Sequence, residues 1–186
     1  STIEGNTAGN DGGGIYVFSA FPVITNCIIS NNTSQGDGGG INYYSNARGE
    51  LSGCTIEDNT AARWGGGSFF HDNCDPTLTD CLISNNTSSV YGGGISCYLN
   101  CNPLFSDCTI SWNSSENGGG LHNQGSSPTL QNCTIDSNSS TNNGGGIYNT
   151  PDSNSTITGC TISQNSAVSG GGMYNESKPT VTETTF

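Results

Sequence analysis

Gly38-Gly39-Gly40-Ile41, Gly65-Gly66-Gly67-Ser68 and Gly92-Gly93-Gly94-Ile95 carry one pattern, three glycines and then an entry into an apolar stretch. The same triplet begins at Gly12, Gly118, Gly144 and Gly170, and the steps between first glycines are 26, 27, 27, 26, 26 and 26 residues. A fixed period in this range marks a stacked-repeat architecture, in which each unit buries its apolar side only against its neighbours. The unbroken period makes residues 1–186 a single domain.

A second signature sits between the triplets. Cys54-Thr55-Ile56-Glu57-Asp58-Asn59 and Cys81-Leu82-Ile83-Ser84-Asn85-Asn86 show it, and further copies open at Cys27, Cys108, Cys133 and Cys160. The chain opens on the same motif with Ser1 in the Cys position and closes part-way through another at Thr184-Thr185-Phe186. Cys and the Ile two residues on share one face of an extended chain. A further apolar column lies three residues before each Cys: Ile24, Leu51, Leu78, Phe105, Leu130, Ile157 and Val181. Three is an odd step, so a bend must separate two strands if both point inward. A third strand follows the glycines. The expected fold is an all-β, right-handed parallel β-helix (a β-solenoid) of about seven coils with three short strands each. Right-handedness follows from the hand of parallel crossovers. Glycine density, β-branched residues and short apolar spacing exclude a helical repeat.

The chain carries 15 acidic and 3 basic residues, a net charge of -12. Nucleic acid and anionic lipid both need Lys/Arg clusters, and Arg48, Arg63 and Lys178 are scattered, so neither is an expected partner. No apolar run is long enough for a membrane helix, and membrane insertion by this segment is not expected.

The paired Gly-Gly-Gly-Ile and Cys-x-Ile-x-x-Asn signatures resemble the Gly-Gly-Ala-Ile and Phe-x-x-Asn repeats of chlamydial polymorphic outer-membrane proteins. They are similar, more broadly, to the right-handed parallel β-helices of secreted bacterial adhesins and pectate-lyase-like folds. The resemblance covers essentially the whole chain. It implies secretion or cell-surface display, and often adhesion. Cys stands here where that family has Phe.

Several columns are candidates for structure or chemistry. Asn6, Asn32, Asn59, Asn86, Asn113, Asn138 and Asn165 form an expected Asn stack, bonding to one another and to turn backbone. Cys27, Cys54, Cys81, Cys108, Cys133 and Cys160 form an expected core Cys stack of small buried thiols. Cys74 and Cys101 lie in register in the irregular corner, within disulfide reach, with Cys97 competing; such a bridge fits an oxidising compartment. Asp11 with Asp37, and Asp80 with Asp107, are in-register carboxylate pairs that could hold calcium or serve acid/base chemistry, against a plain reading as solvated faces. His71 and His122 fall in different columns and read as ordinary strand or surface residues. Thr77-x-Thr79, Thr156-x-Thr158 and Thr180-x-Thr182 resemble the arrays of ice-binding solenoids, but Glu50, Leu104 and Gln131 interrupt them. Asn154, in the longest loop, is the best glycosylation candidate among the sequons.

No catalytic set emerges, so no enzyme activity and no cofactor are expected, calcium aside. The leading expectation is a non-catalytic extracellular structural or adhesive solenoid. Its bare ends suggest either a segment of a longer array, flanked by neighbouring repeats, or a subunit that self-associates end to end into a filament. The alternative is a carbohydrate-binding or polysaccharide-degrading β-helix that takes surface glycans on the irregular corner, through Phe18, Phe21, Tyr43, Tyr44, Phe70 and Tyr98. Ice binding is third.

Overall fold

The computed structural model describes residues 1–186. One central coil explains the rest. Cys54 leads into the strand Thr55–Glu57, and Ile56 of that strand is fully buried. Asp58 turns the chain in the left-handed region (φ 55°), and Asn59 points inward. Then come a two-residue strand, Thr60–Ala61, the glycine triplet, and the strand Ser68–His71. The irregular corner follows, and Thr77–Thr79 closes the coil with Leu78 buried. Every strand pairs in parallel with its equivalents one coil away: Ile56 with Ile29 and Ile83, Leu78 with Leu51 and Phe105.

The result is a β-solenoid of four parallel sheets, three of seven strands and one of six. The three strands expected per coil build the seven-stranded sheets. The two-residue strand between the Asn and the glycines adds the fourth. No helix is long and apolar enough to cross a membrane.

The bend required by the odd spacing is made by one left-handed residue in every coil: Asn26, Gly53, Asp80, Asp107, Asn132, Gly159 and Glu183. Gly, Asn and Asp tolerate that region best, which accounts for six of the seven. Asp80 and Asp107 are therefore corner residues. Asp107 takes hydrogen bonds from Ser106 Oγ (2.6 Å) and Asn132 Nδ2 (3.3 Å).

A second left-handed column precedes the Asn stack, and there Trp112 holds φ 59° with its side chain 64 % exposed. A bulky residue costs about 1–2 kcal/mol in this region and gains nothing from burial here. Trp112→Asn should raise the stability of the chain by about 1 kcal/mol, read as a shift in the denaturation midpoint. An unchanged or lowered midpoint would mean that the indole makes a contribution its exposure hides.

The interior is apolar and continuous, with Tyr43, Phe70, Phe105, Ile29, Leu51 and Ile83 among its fully buried side chains. The Cys column lines it as thiols. Cys81 Sγ, for example, lies within hydrogen-bond reach of Thr79 O (3.4 Å) and of Leu51 O of the preceding coil (3.6 Å). Cys27, in the first full coil, is the one member that is half-buried.

Cys74 and Cys101, the expected disulfide partners, are buried free thiols in this structure. Each sulfur caps a carbonyl at the end of its own glycine strand, His71 O and Tyr98 O, both at 3.1 Å. The Cys74 backbone N–H points at Cys101 Sγ (3.2 Å). One coil on, Ser126 Oγ makes both bonds, receiving Cys101 N–H (3.1 Å) and donating to Gln124 O (3.2 Å). The two cysteines thus stand as neighbours in serine-like turn-cap positions, each sulfur against the carbonyl that ends its own glycine strand.

Candidate functional site: an aromatic cleft on the glycine-strand sheet

The glycine strands alternate strictly. Ile41 and Tyr43 point inward and are buried; Asn42 and Tyr44 point outward. Stacking the coils turns the outward positions into two columns. One runs Tyr16, Asn42, Phe69, Ser96, His122, Tyr148, Tyr174, and the other Phe18, Tyr44, His71, Tyr98, Gln124. Rings in the second column follow each other closely: Phe18 to Tyr44 is 5.7 Å between centroids, Tyr44 to His71 5.1 Å, and His71 to Tyr98 5.1 Å.

The turn that leads into the glycines folds back over this face. In the third coil it presents Arg63 and Trp64, where the second coil has Gly36 and Asp37 and the first has Asn10 and Asp11. Trp64 meets Phe69 (5.6 Å), Tyr98 (4.9 Å), Tyr91 (5.0 Å) and His122 (5.7 Å), each edge to face. Between this turn and the sheet lies a cleft of about 510 Å³. Its aromatic lining is Tyr16, Tyr44, Trp64, Phe69 and Tyr98, and its polar lining is Asn10, Asp11, Asp37, Asn42, Arg63 and His71.

The polar wall is tied together. Asp37 N–H donates to Asp11 Oδ1 (2.8 Å), and Trp64 N–H to Asp37 Oδ1 (3.2 Å). Arg63 Nη2 reaches Asp37 Oδ2 at 3.0 Å and Asp11 Oδ1 at 3.8 Å. The in-register pair Asp11 and Asp37 is therefore not simply solvated, and its counter-ion is a guanidinium one column away. Burial pushes the Asp37 carboxyl up to about 6, against the pull of Arg63, with Asp11 adding to the rise. Burial lowers the His71 imidazole below its ordinary value, while Asp72 and Asp11 draw it back up. Asn42 is only 3 % exposed, and its Oδ1 has no hydrogen-bond partner.

His122 lies outside the cleft lining and is wholly buried, contrary to its reading as an ordinary strand or surface residue. Its Nδ1 bonds Ser96 Oγ (3.0 Å), its ring stacks on Tyr91 (4.4 Å, 23°), and burial pushes it down to about 3. It is the neutral filler under the aromatic cover.

The expected corner aromatics divide. Tyr43 and Phe70 are core residues, packed edge to face at 5.6 Å, and leave no corner platform. Phe18 and Phe21 are exposed. Tyr44 and Tyr98 do serve a cleft, on the sheet face and not in the corner. Sequence reading missed Asn42, Arg63, Trp64, Phe69 and His71. The available signal was the pair Arg63-Trp64, which breaks a turn column otherwise made of small or acidic residues in the first two coils.

The seven Asn side chains form one ladder, in which each side chain from Asn6 to Asn138 donates from Nδ2 to Oδ1 of the next at 2.9–3.0 Å. A second, shorter ladder that the sequence reading did not identify joins Asn123, Asn149 and Asn175 through bonds of 2.7 Å. Asn154 is exposed in its loop, with Oδ1 accepting Lys178 N–H (3.1 Å). The Thr columns stack in register, but Glu50, Leu104 and Gln131 sit in the same two rows. No group of three or more His, Cys, Asp or Glu side chains is placed to hold a metal ion.

The family model for the right-handed β-helix region matches residues 1–135 and 93–186. The chain belongs to the right-handed β-helix family. The hand expected from parallel crossovers agrees with that match. No curated protein and no solved structure compared with the chain gives a match. In this β-helix, the coil supplies a rigid sheet face, and the turn before the glycines decides what stands over it.

Proposed function

We propose that this β-helix is a non-catalytic carbohydrate-binding protein acting outside the cell, which holds a glycan in the cleft beneath Trp64. The observation that carries this reading is the convergence of Tyr16, Tyr44, Trp64 and Tyr98 with Asp11, Asp37 and Arg63 on one open depression. Sugar rings present an apolar C–H face and an edge of hydroxyls, and such a cleft offers both complements on a rigid scaffold. The adhesive role suggested by the repeat signatures is consistent with a glycan ligand.

Binding is favoured over cleavage by the placement of the carboxylates. Glycosidases set two carboxyl groups on opposite sides of the scissile bond. Here Asp11 and Asp37 stand side by side on one wall, tied by a backbone bond and a common guanidinium. The extracellular location rests on the resemblance of the repeat signatures to those of secreted and surface-displayed β-helices.

The test is a glycan array followed by calorimetry. Trp64→Ala should weaken the selected glycan at least ~30-fold, the effect of losing a central aromatic anchor. Because Trp64 also covers His122, Tyr16→Ala is the companion variant. Tyr16 is 48 % exposed, so its truncation leaves the fold intact and should still reduce affinity. An array with no ligand, or full affinity in both variants, would sink the reading.

A further inference from the structure

We infer that the glycan of this cleft is cationic: an amino sugar whose protonated amine lies against Asp37 and Asp11 and donates to Asn42 Oδ1, with its ring against the surrounding aromatic faces. This rests on the carbohydrate reading above and adds the chemical class of the ligand. Four independent features converge on it.

The first is local charge. Two carboxylates face one guanidinium, so the wall keeps a net negative charge when both are ionised. Arg63 satisfies Asp37 more closely than Asp11, at 3.0 Å against 3.8 Å, and its side chain is 57 % exposed, leaning over the rim without filling the cleft. The second is the orphan acceptor. A buried carbonyl oxygen without a donor is destabilising, and Asn42, in the cleft lining, carries such an atom in its Oδ1. An ammonium has three donors and no acceptor, which matches two carboxylates and one amide oxygen.

The third feature is the ring lining. Tyr and Trp faces carry negative quadrupole density and attract a cation, more strongly where water is excluded. The fourth is the field of the whole chain. With 15 acidic and 3 basic residues, it draws cations toward the cleft and repels polyanions such as uronic-acid polymers.

The pH dependence follows from Asp37. The charged groups around it are Asp11 and Arg63 on the turns, with His71, Tyr16 and Tyr44 on the sheet face. Its carboxyl titrates at about 6 in the free protein. A ligand cation binds the ionised form better, so affinity should rise with pH through this range and binding should release a proton. His71, whose imidazole is lowered by burial, adds no opposing charge above neutrality.

The experiment titrates the full chain with three tetrasaccharides: the β-1,4 glucosamine oligomer, its N-acetylated form and the neutral glucose oligomer. The expected result is at least ~10-fold tighter binding of the glucosamine oligomer at pH 7. A trimethylated glucosamine oligomer, which keeps a pH-independent charge but has no N–H to donate, should bind more weakly than the amine at pH 7, and its remaining preference over the neutral oligomer should fall between pH 7 and pH 5. Asp37→Asn, which keeps the acceptor for Trp64 N–H, should remove both the preference and its pH dependence while the melting temperature holds. Equal affinity for the three oligomers would overturn the cationic class and leave glycan binding standing. Failure of all three to bind, together with an empty array, would overturn the glycan reading itself.

Discussion

Gly66→Ala should lower the stability of the solenoid by about 4 kcal/mol or more, a drop of roughly 10 °C in melting temperature for a chain of this size. The three glycines of a triplet are not equivalent, and the middle one is pressed by backbone from two sides. Gly65 needs its positive φ of 64°, and a Cβ there would also meet Ser68 O. At Gly67 an added Cβ would stand 2.7 Å from Gly94 O of the next coil and 3.0 Å from Asn86 Cγ in the Asn ladder. At Gly66 the new methyl would collide with Gly93 O of the next coil and with Thr87 O at 2.5 Å. Both obstacles are backbone, fixed by the inter-coil bonds Gly66 N–H to Gly92 O (3.1 Å) and Gly67 N–H to Gly94 O (3.0 Å). Strand spacing cannot widen at one corner without breaking these bonds on either side. The control is Gly9→Ala: a Cβ there meets nothing within 4 Å, so the change should fall within about 0.5 kcal/mol of zero. Thermal melts of the two variants beside the parent decide the matter, and equal melting of Gly66→Ala and Gly9→Ala would refute the packing account.

Asn86→Ala is expected to cost about 3–6 kcal/mol, close to the sum of three stranded buried groups. Asn86 Oδ1 accepts both Asn59 N–H and Asn59 Nδ2, each at 3.0 Å. Its Nδ2 donates to Ile56 O (2.9 Å) and to Asn113 Oδ1 (3.0 Å). Alanine therefore leaves two donors and one carbonyl unpaired, in an interior where water cannot replace them. Asn6→Ala, at the exposed first rung, should cost about 1 kcal/mol, because solvent reaches the groups it frees. Hydrogen exchange at the Asn59 amide is the sharpest readout. Protection retained there in Asn86→Ala would show that the ladder is not what holds the turn.

Much of the coil was legible because a solenoid makes its tertiary contacts periodic. Residues 26 or 27 apart become neighbours at strand spacing, so a repeated letter becomes a stacked column. The Asn ladder, the Cys column and the need for a bend before each Cys could all be read this way; that Asn26, Gly53 and Asp80 make the bend came from the structure. Register brought Cys74 and Cys101 together but could not say where their sulfurs aim, and each lies 3.1 Å from a strand-end carbonyl, His71 O or Tyr98 O. The corner aromatics were misplaced for a related reason. Tyr43 and Tyr44 are adjacent, yet alternation puts one in the core and the other on the surface, and the strand has to be bounded before the faces can be assigned.

The sequence by itself determined the coil, its period, its inward columns and the sites where only glycine or asparagine fits, since these depend on local alternation and on a translation repeated seven times. The cleft was decided only by the tertiary structure. It depends on a turn folding back over the outer face of its own sheet. Arg63 there meets carboxylates from two other coils, Trp64 covers rings from three strands, and Asn42 Oδ1 is left without a donor. These contacts join residues of unlike type at positions that do not repeat, so no periodicity records them. They arise from the shape of one turn against one face.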